Sequence, residues 1–422
     1  MDTLSTRVMI TGMGIVCSIA QTVQEFVEAI REGRSGITKL PEQYNHSVRI
    51  GAWIKDFSWQ NWLNKLSDLD PAIHRRACKI LNNTTDSTRL SACGAIQAFQ
   101  NAHSAGMNKT PDELGIIVAG SNLAQSYTVE NWKRFSESGR MNPRYALSFF
   151  DSNQVGCLSE ILAIRGPGLT IGAAAASSNA ALFQAFHWIR CGLVKRCLVV
   201  GAAMEFSPME LEAFAILGAA SCNQFAGDPD RACRPFDQAH EGFVWGQGSA
   251  SVMLESAQWR GGLPAIGEIS GVSLLLDGNH LPDPSADGEA RAMRTALESA
   301  KLEPDRIGYI NAHGSSSALG DRTECAAIKA VFQESISNIW INSTKSLTGH
   351  CFSASGTIEL IATILQLNGG FVHPNRNLDN PIDLELKLAG NQAGPLSAQY
   401  ALTNGFGFGG INSSLVVKGN NA

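Results

Sequence analysis

No Cys-x-x-Cys pair occurs anywhere in the 422 residues, and no histidines fall at zinc-ligand spacing. The ten cysteines stand singly. That argues against a disulfide framework or a thiolate metal site and fits free thiols in a reducing cytoplasm. No apolar run approaches the ~18 residues a membrane span needs, so none is expected. The opening Met1-Asp2-Thr3-Leu4-Ser5 is acidic and polar and leads straight into Val8, which does not read as a secretory signal. Positive charge is also short: 33 Lys and Arg against 38 Asp and Glu leave a net charge of −5. Nucleic acid is thereby excluded as the main partner, although a local basic patch stays open. After Gly12-x-Gly14 the third glycine is missing, as is an acidic residue closing a second strand, and this excludes a dinucleotide site. What is present is 44% hydrophobic and 17% charged, enough to bury two cores or one large duplicated one.

In chain order, buried strands are expected at 8–14 and 114–119, and helices at 23–33 and 70–106. The second of these helices carries Arg75, Arg76 and Lys79 on one face. Such a face is either simply solvated or a docking patch for an acidic partner. Residues 122–160 are too long and aromatic for an ordinary loop; helices packed on a neighbour, and a subunit interface, are expected there. Later segments alternate again. Strands are expected at 197–201, 250–254, 264–272, 307–311 and 339–343, helices at 289–302, 321–333 and 355–368, and a closing hairpin from 400 to 418. Strands alternating with helices in both halves indicate an α/β layered fold, a pattern that a duplication would explain.

The stretch 166–180 organises the rest. A short strand, Leu169 to Ile171, breaks at Gly172 and passes into an Ala-rich helix. The first turn of such a helix presents bare N–H groups and the positive end of its dipole, a place suited to an anionic nucleophile. Four alanines, Ala173 to Ala176, occupy it instead. A close-packed buried helix explains them equally well at this point.

Three further loops follow predicted strands. Asn311-Ala312-His313-Gly314, with Asp321 and Glu324 beyond it, sets an imidazole at a strand end. Lys345-Ser346-Leu347-Thr348-Gly349-His350 adds a cation and a second imidazole. Gly405-Phe406-Gly407-Phe408-Gly409-Gly410 places two phenylalanines on a glycine turn. With Arg234-Pro235-Phe236-Asp237 these make four ordered motifs, and together they resemble the β-ketoacyl–acyl carrier protein synthases, the condensing enzymes of fatty-acid and polyketide synthesis.

The resemblance covers nearly the whole chain. It implies a thiolase-like five-layered αβαβα fold built from two similar halves, 1–258 and 259–422, with a cap or interface insertion near 122–165, and a homodimer. It also implies a cytoplasmic enzyme that acts on thioesters of acyl carrier protein. No metal or organic cofactor is implied, because the phosphopantetheine arm arrives on the carrier protein. Aligning Gly166-Pro167 and Ile171 places Ala175 where the family has its acyl-carrying cysteine. Without that thiol no acyl-enzyme forms. His313 and His350 match the pair that binds the thioester oxygen, and Phe408 matches the gatekeeping phenylalanine. Lys345 and Glu324 match a buried pair that organises the second histidine. Phe406, Ser317, Gly407 and Gly409 are expected to line the substrate channel. Gly218 stands where relatives place a docking arginine, which leaves Arg75, Arg76 and Lys79 as the docking candidates.

Three functions follow from the resemblance. The first is decarboxylation of malonyl–carrier protein to acetyl–carrier protein without condensation. The second is a condensing synthase in which Ala replaces a nucleophilic Cys or Ser. The third is a non-catalytic subunit like a chain-length factor.

Overall fold

The computed structural model describes residues 6–44, 47–103, 111–221 and 224–420; Cys222 and the first five residues lie outside them. Five strands form the first half: β1 (Val8–Cys17), β2 (Leu114–Ala119), β3 (Gly168–Ile171), β4 (Arg196–Gly201) and β5 (Gly248–Ser256). Their order is β3-β2-β4-β5-β1, with β5 antiparallel to both neighbours and the first three parallel. The second half repeats this pattern. Strands β6 (Gly267–Leu276), β7 (Ile307–Asn311), β8 (Trp340–Asn342), β9 (Tyr400–Gly407) and β10 (Ile411–Gly419) run in the order β8-β7-β9-β10-β6, again with only the fourth neighbour antiparallel. The halves meet edge to edge, where Val8, Met9 and Ile10 pair with Ile269, Glu268 and Gly267.

The helices fall into three layers. Besides the expected helix Val23–Glu32 and several short ones, they include α1 (Pro71–Leu81), α2 (Asp86–His103), α3 (Gln125–Ser138), α4 (Ser152–Leu162), α5 (Ser177–Arg190), α6 (Pro208–Ile216), α7 (Ala286–Ala300), α8 (Ala318–Phe332) and α9 (Ser355–Gly369). The two central ones, α5 and α9, pack on each other and each touches strands of both halves. Both are buried on nearly every side, as a helix between two sheets must be. On the far face of the first half, α2 packs on β1 and β5. On the far face of the second, α7 packs on β6 and β10 and against α8. Helix, sheet, helix, sheet, helix: the five expected layers are present.

Gly12 and Gly14 have a packing role. A Cβ on either would collide with the Ala98 or Gly94 carbonyl of α2, so the glycines let helix and strand approach closely. The expected 70–106 helix is two helices. It breaks at Asn82-Asn83-Thr84-Thr85, where the Thr84 hydroxyl bonds the Leu81 carbonyl at 3.3 Å and the Thr85 hydroxyl accepts the Thr88 N–H at 3.2 Å, capping α2. Residues 104–106 lie outside the described ones. The closing turn is also shorter than expected. Phe406 pairs with Asn412 and Gly407 with Ile411, so both belong to strands and only 408–410 turn.

Residues 122–165 carry α3, a short helix Tyr145–Ser148, and α4. Trp132 is 65% exposed and Phe150 57%. Among the described residues no helix is long and apolar enough to cross a membrane, and no cluster of three or more His, Cys, Asp or Glu could hold a metal.

Candidate active site

The chain leaves β3 through Ala173 and enters a single 3₁₀ turn, Ala174–Ala176, before α5 begins. Ala174 has φ +48°, a left-handed conformation that costs a residue with a Cβ and is held by its surroundings. Ser177 supplies part of that hold: its hydroxyl accepts the Ala173 N–H at 2.9 Å and donates to the Ala174 carbonyl at 2.7 Å. Gly407 closes in from the other half; a Cβ there would come within 2.9 Å of the Ala173 oxygen. The turn therefore presents Ala175 to a cavity of about 560 Å³, which His313, His350, Ser317, Phe406, Gly407 and Phe408 also line.

His313 follows β7. Its backbone N–H and that of Gly314 each donate to a different oxygen of Glu324 at 2.8 Å, and the Asn404 side chain donates to the same carboxyl at 2.9 Å. Burial pushes the Glu324 carboxyl up to about 7 against these donors. Lys345 Nζ donates to the His313 carbonyl at 2.6 Å and pairs with Glu359. This corrects the expectation from the resemblance. The partner of Lys345 is Glu359 on α9, not Glu324, and the histidine it holds is the first, not the second.

The ring nitrogens can be assigned from their neighbours. Two donors, Lys345 Nζ at 3.5 Å and the Phe406 N–H at 3.4 Å, face His313 Nδ1. Two more, the Phe352 N–H at 3.0 Å and the Ser355 hydroxyl at 3.1 Å, face His350 Nδ1. Each Nδ1 is thus an acceptor, and each proton sits on Nε2. The rings lie 5.4 Å apart, edge to face at 77°. Burial holds both imidazoles well below their ordinary pKa, and the Lys345 charge adds to it, so both stay neutral. Two neutral Nε2–H donors on one cavity can stabilise a developing oxyanion, and the Ala175 methyl beside them offers no nucleophile of its own.

The second imidazole also has an aromatic cradle that the sequence did not suggest. Phe352 lies on His350 with ring centroids 4.6 Å apart, and Phe243 meets it edge-on at 5.7 Å. Phe206 and Phe214 pack behind Phe352 at 4.7 and 5.3 Å. Phe352 has φ +47° and opens a 3₁₀ turn, Phe352–Ala354, that leads into α9. It is the counterpart in the second half of the turn at Ala174.

The remaining expected residues are placed as follows. Phe408 is 41% exposed at the cavity mouth, 6.5 Å from the Phe214 ring. Phe406 is buried, 5.8 Å from the His313 ring. Ser317 shares a 2.9 Å hydrogen bond with Ser315, whereas Gly409, expected in the channel, does not line the cavity; its neighbour Gly410 does. Cys157 and Cys351 do not line the cavity. Arg75, Arg76 and Lys79 do not line it either. Arg75 is exposed, Arg76 donates to the Ile161 carbonyl at 2.8 Å, and Lys79 lies 3.5 Å from Glu160.

The beta-ketoacyl synthase N-terminal domain matches residues 5–259 and its C-terminal domain residues 266–379. The chain belongs to the beta-ketoacyl synthase family. Among curated relatives of this synthase chain, the polyketide biosynthesis malonyl-ACP decarboxylase PksF of Bacillus subtilis is 35% identical, covering 98% of this chain and 96% of its own. The 3-oxoacyl-[acyl-carrier-protein] synthase 2 of Synechocystis is 32% identical, covering 98% of each. Among solved structures, a beta-ketoacyl synthase from Burkholderia phymatum superposes with a TM-score of 0.85 at 28% identity over 98% of this chain and 99% of its own.

Proposed function

We propose that this synthase-family chain decarboxylates the malonyl thioester of an acyl carrier protein to the acetyl thioester, without forming a carbon–carbon bond. The observation that carries this reading is the pairing of two neutral Nε2–H donors with an alanine at the mouth of α5. Loss of CO2 turns the thioester carbonyl oxygen into an enolate oxygen. Donors aimed at that oxygen bind it more strongly as its charge develops, and one such donor is worth roughly 3–4 kcal/mol. The aromatic cradle around His350 and the Phe408 wall favour departure of neutral CO2 over a solvated carboxylate. The similarity to the decarboxylase of Bacillus subtilis supports the same reading.

The proposed partner is a carrier protein whose phosphopantetheine arm enters past Phe408, with Arg75 and Lys79 as its docking cations. Arg76, engaged by Ile161, is the weakest of the three. We place the protein in the cytoplasm as a homodimer, with the exposed aromatics of α3 and residues 147–150 covered by a second copy, and divide the chain at 258/259. Mass spectrometry of malonyl–carrier protein incubated with the protein tests the function. Conversion to the acetyl form is expected; persistence of malonyl at the no-enzyme rate refutes it.

A condensing synthase lacking its nucleophile is the second reading, favoured by the similarity to the 3-oxoacyl synthase over the same length. It requires that Ala175→Cys make a 3-oxoacyl product from an acyl donor and malonyl–carrier protein.

A further inference from the structure

Decarboxylation leaves an enolate, and with no acyl group on the protein to attack, its α-carbon needs a proton. Neither histidine is free to give one, since each Nε2–H is committed to the oxygen. A carboxyl group stands in the same cavity. Glu289, in the first turn of α7, is 1% exposed, lines the cavity, and its Oε2 has no hydrogen-bond partner. A polar atom buried this way without a partner is costly unless it has a task.

The surroundings of Glu289 are built for it. Asp277, also lining the cavity, is fixed by the Asn412 side chain at 2.8 Å and lies so close to the Gly288 backbone that a Cβ there would overlap it. Its Oδ2 is likewise buried without a partner. One turn along α7, Met293 Sδ lies 3.6 Å from the Asn404 side chain, which also bonds Glu324, the carboxyl that holds the His313 loop. Glu289 therefore sits one helical turn from the scaffold of the first imidazole.

We propose that Glu289 is the acid that delivers the proton to the α-carbon of the enolate. The inference rests on the decarboxylase reading above. The bond between the α-carbon and the carboxylate breaks, and its electron pair passes into the enolate held by His313 and His350. CO2 leaves, the α-carbon takes the Glu289 proton to form the new C–H bond, and the Glu289 carboxylate is reprotonated from water. The sum is a malonyl thioester plus one proton giving an acetyl thioester and CO2. Burial, with the carboxyls of Glu324 and Asp321 on α8 and of Asp277 beyond β6, pushes Glu289 well above the ordinary carboxyl range. The nearest cation on its own helix, Arg291, is turned to the Leu276 carbonyl at 3.1 Å and lies 3.8 Å from Asp277.

Turnover of malonyl–carrier protein by the full-length protein is compared with Glu289→Gln and Glu289→Asp from mildly acid to alkaline pH, following CO2 and acetyl–carrier protein together. Parent turnover is expected to fall as pH rises through the Glu289 pKa. Glu289→Gln is expected to be slower by about 10²-fold and to lose that alkaline limb. Glu289→Asp, which keeps the acid but retracts it, should retain the limb at reduced rate. Thermal melting of both variants reports folding independently. A Glu289→Gln protein with the parent's rate and the parent's pH profile overturns the proposal alone, whereas a parent protein that releases no CO2 overturns the decarboxylase reading and this step with it.

Discussion

The Lys345 ammonium touches the His313 backbone oxygen at 2.6 Å and stands 3.5 Å from the Nδ1 of the same residue, with Glu359 on its other side. One buried cation thus fixes the position of a loop and the tautomer of an imidazole, and adds to the burial that keeps the ring uncharged. Lys345→Ala is expected to destabilise the fold by about 3–5 kcal/mol, because Glu359 would be left as a buried carboxyl with no cation. Differential scanning calorimetry at neutral pH measures the loss, and a melting temperature equal to the parent's would show that the pair contributes nothing.

Replacing either donor should cost transition-state binding and spare substrate binding. His313→Ala and His350→Ala are each expected to lower kcat for CO2 release by about 10²-fold with KM little changed. Steady-state assays on malonyl–carrier protein decide this. A rise in KM at constant kcat would instead make the imidazoles mere contacts for the arm.

A thiol at the mouth of α5 should be reactive. In Ala175→Cys the helix N-terminus favours the thiolate, whereas burial pushes native Cys157 up to about 11 and Cys17 up to about 12. One additional, rapidly formed adduct with iodoacetamide is expected relative to the parent, and malonyl–carrier protein should protect it. Intact-protein mass spectrometry counts the adducts; equal counts in both proteins would remove residue 175 from the cavity mouth.

Acid should unfold the protein partly through a histidine outside the site. Burial holds His373 down at about 4, with its Nε2 3.1 Å from the Thr344 hydroxyl and its Nδ1 2.8 Å from the Pro374 carbonyl. Between the ordinary histidine pKa of about 6.5 and pH 4, the unfolded chain takes up a proton that the folded one does not. Stability is therefore complete above that range and falls as pH drops through it, by about 3 kcal/mol from this residue. Melting temperatures across the range test the slope, and His373→Gln should flatten it.

The layered fold and the loops that bear the histidines were legible because strand-end motifs are local: Asn311 to Gly314, Lys345 to His350 and Gly405 to Gly410 each act within a few residues. The partner of Lys345 was not legible. Glu359 lies within a helix buried on nearly every side, where nothing in the local sequence marks it as paired. The aromatic cradle was equally hidden, since residues 206, 214, 243 and 352 come together only through the fold. The break in the 70–106 helix was readable in its Asn-Asn-Thr-Thr run, which offers side-chain bonds in competition with the helix.

The matching turns at Ala174 and Phe352 have one more consequence. They lie in the two strand groups that repeat one order and face a common chamber, so His350 and Ala175 stand in different groups. Either half produced by itself would own one wall of the reaction vessel and none of the wall across from it. Separately expressed halves should therefore be inert however well they fold, and only their reassociation could restore chemistry.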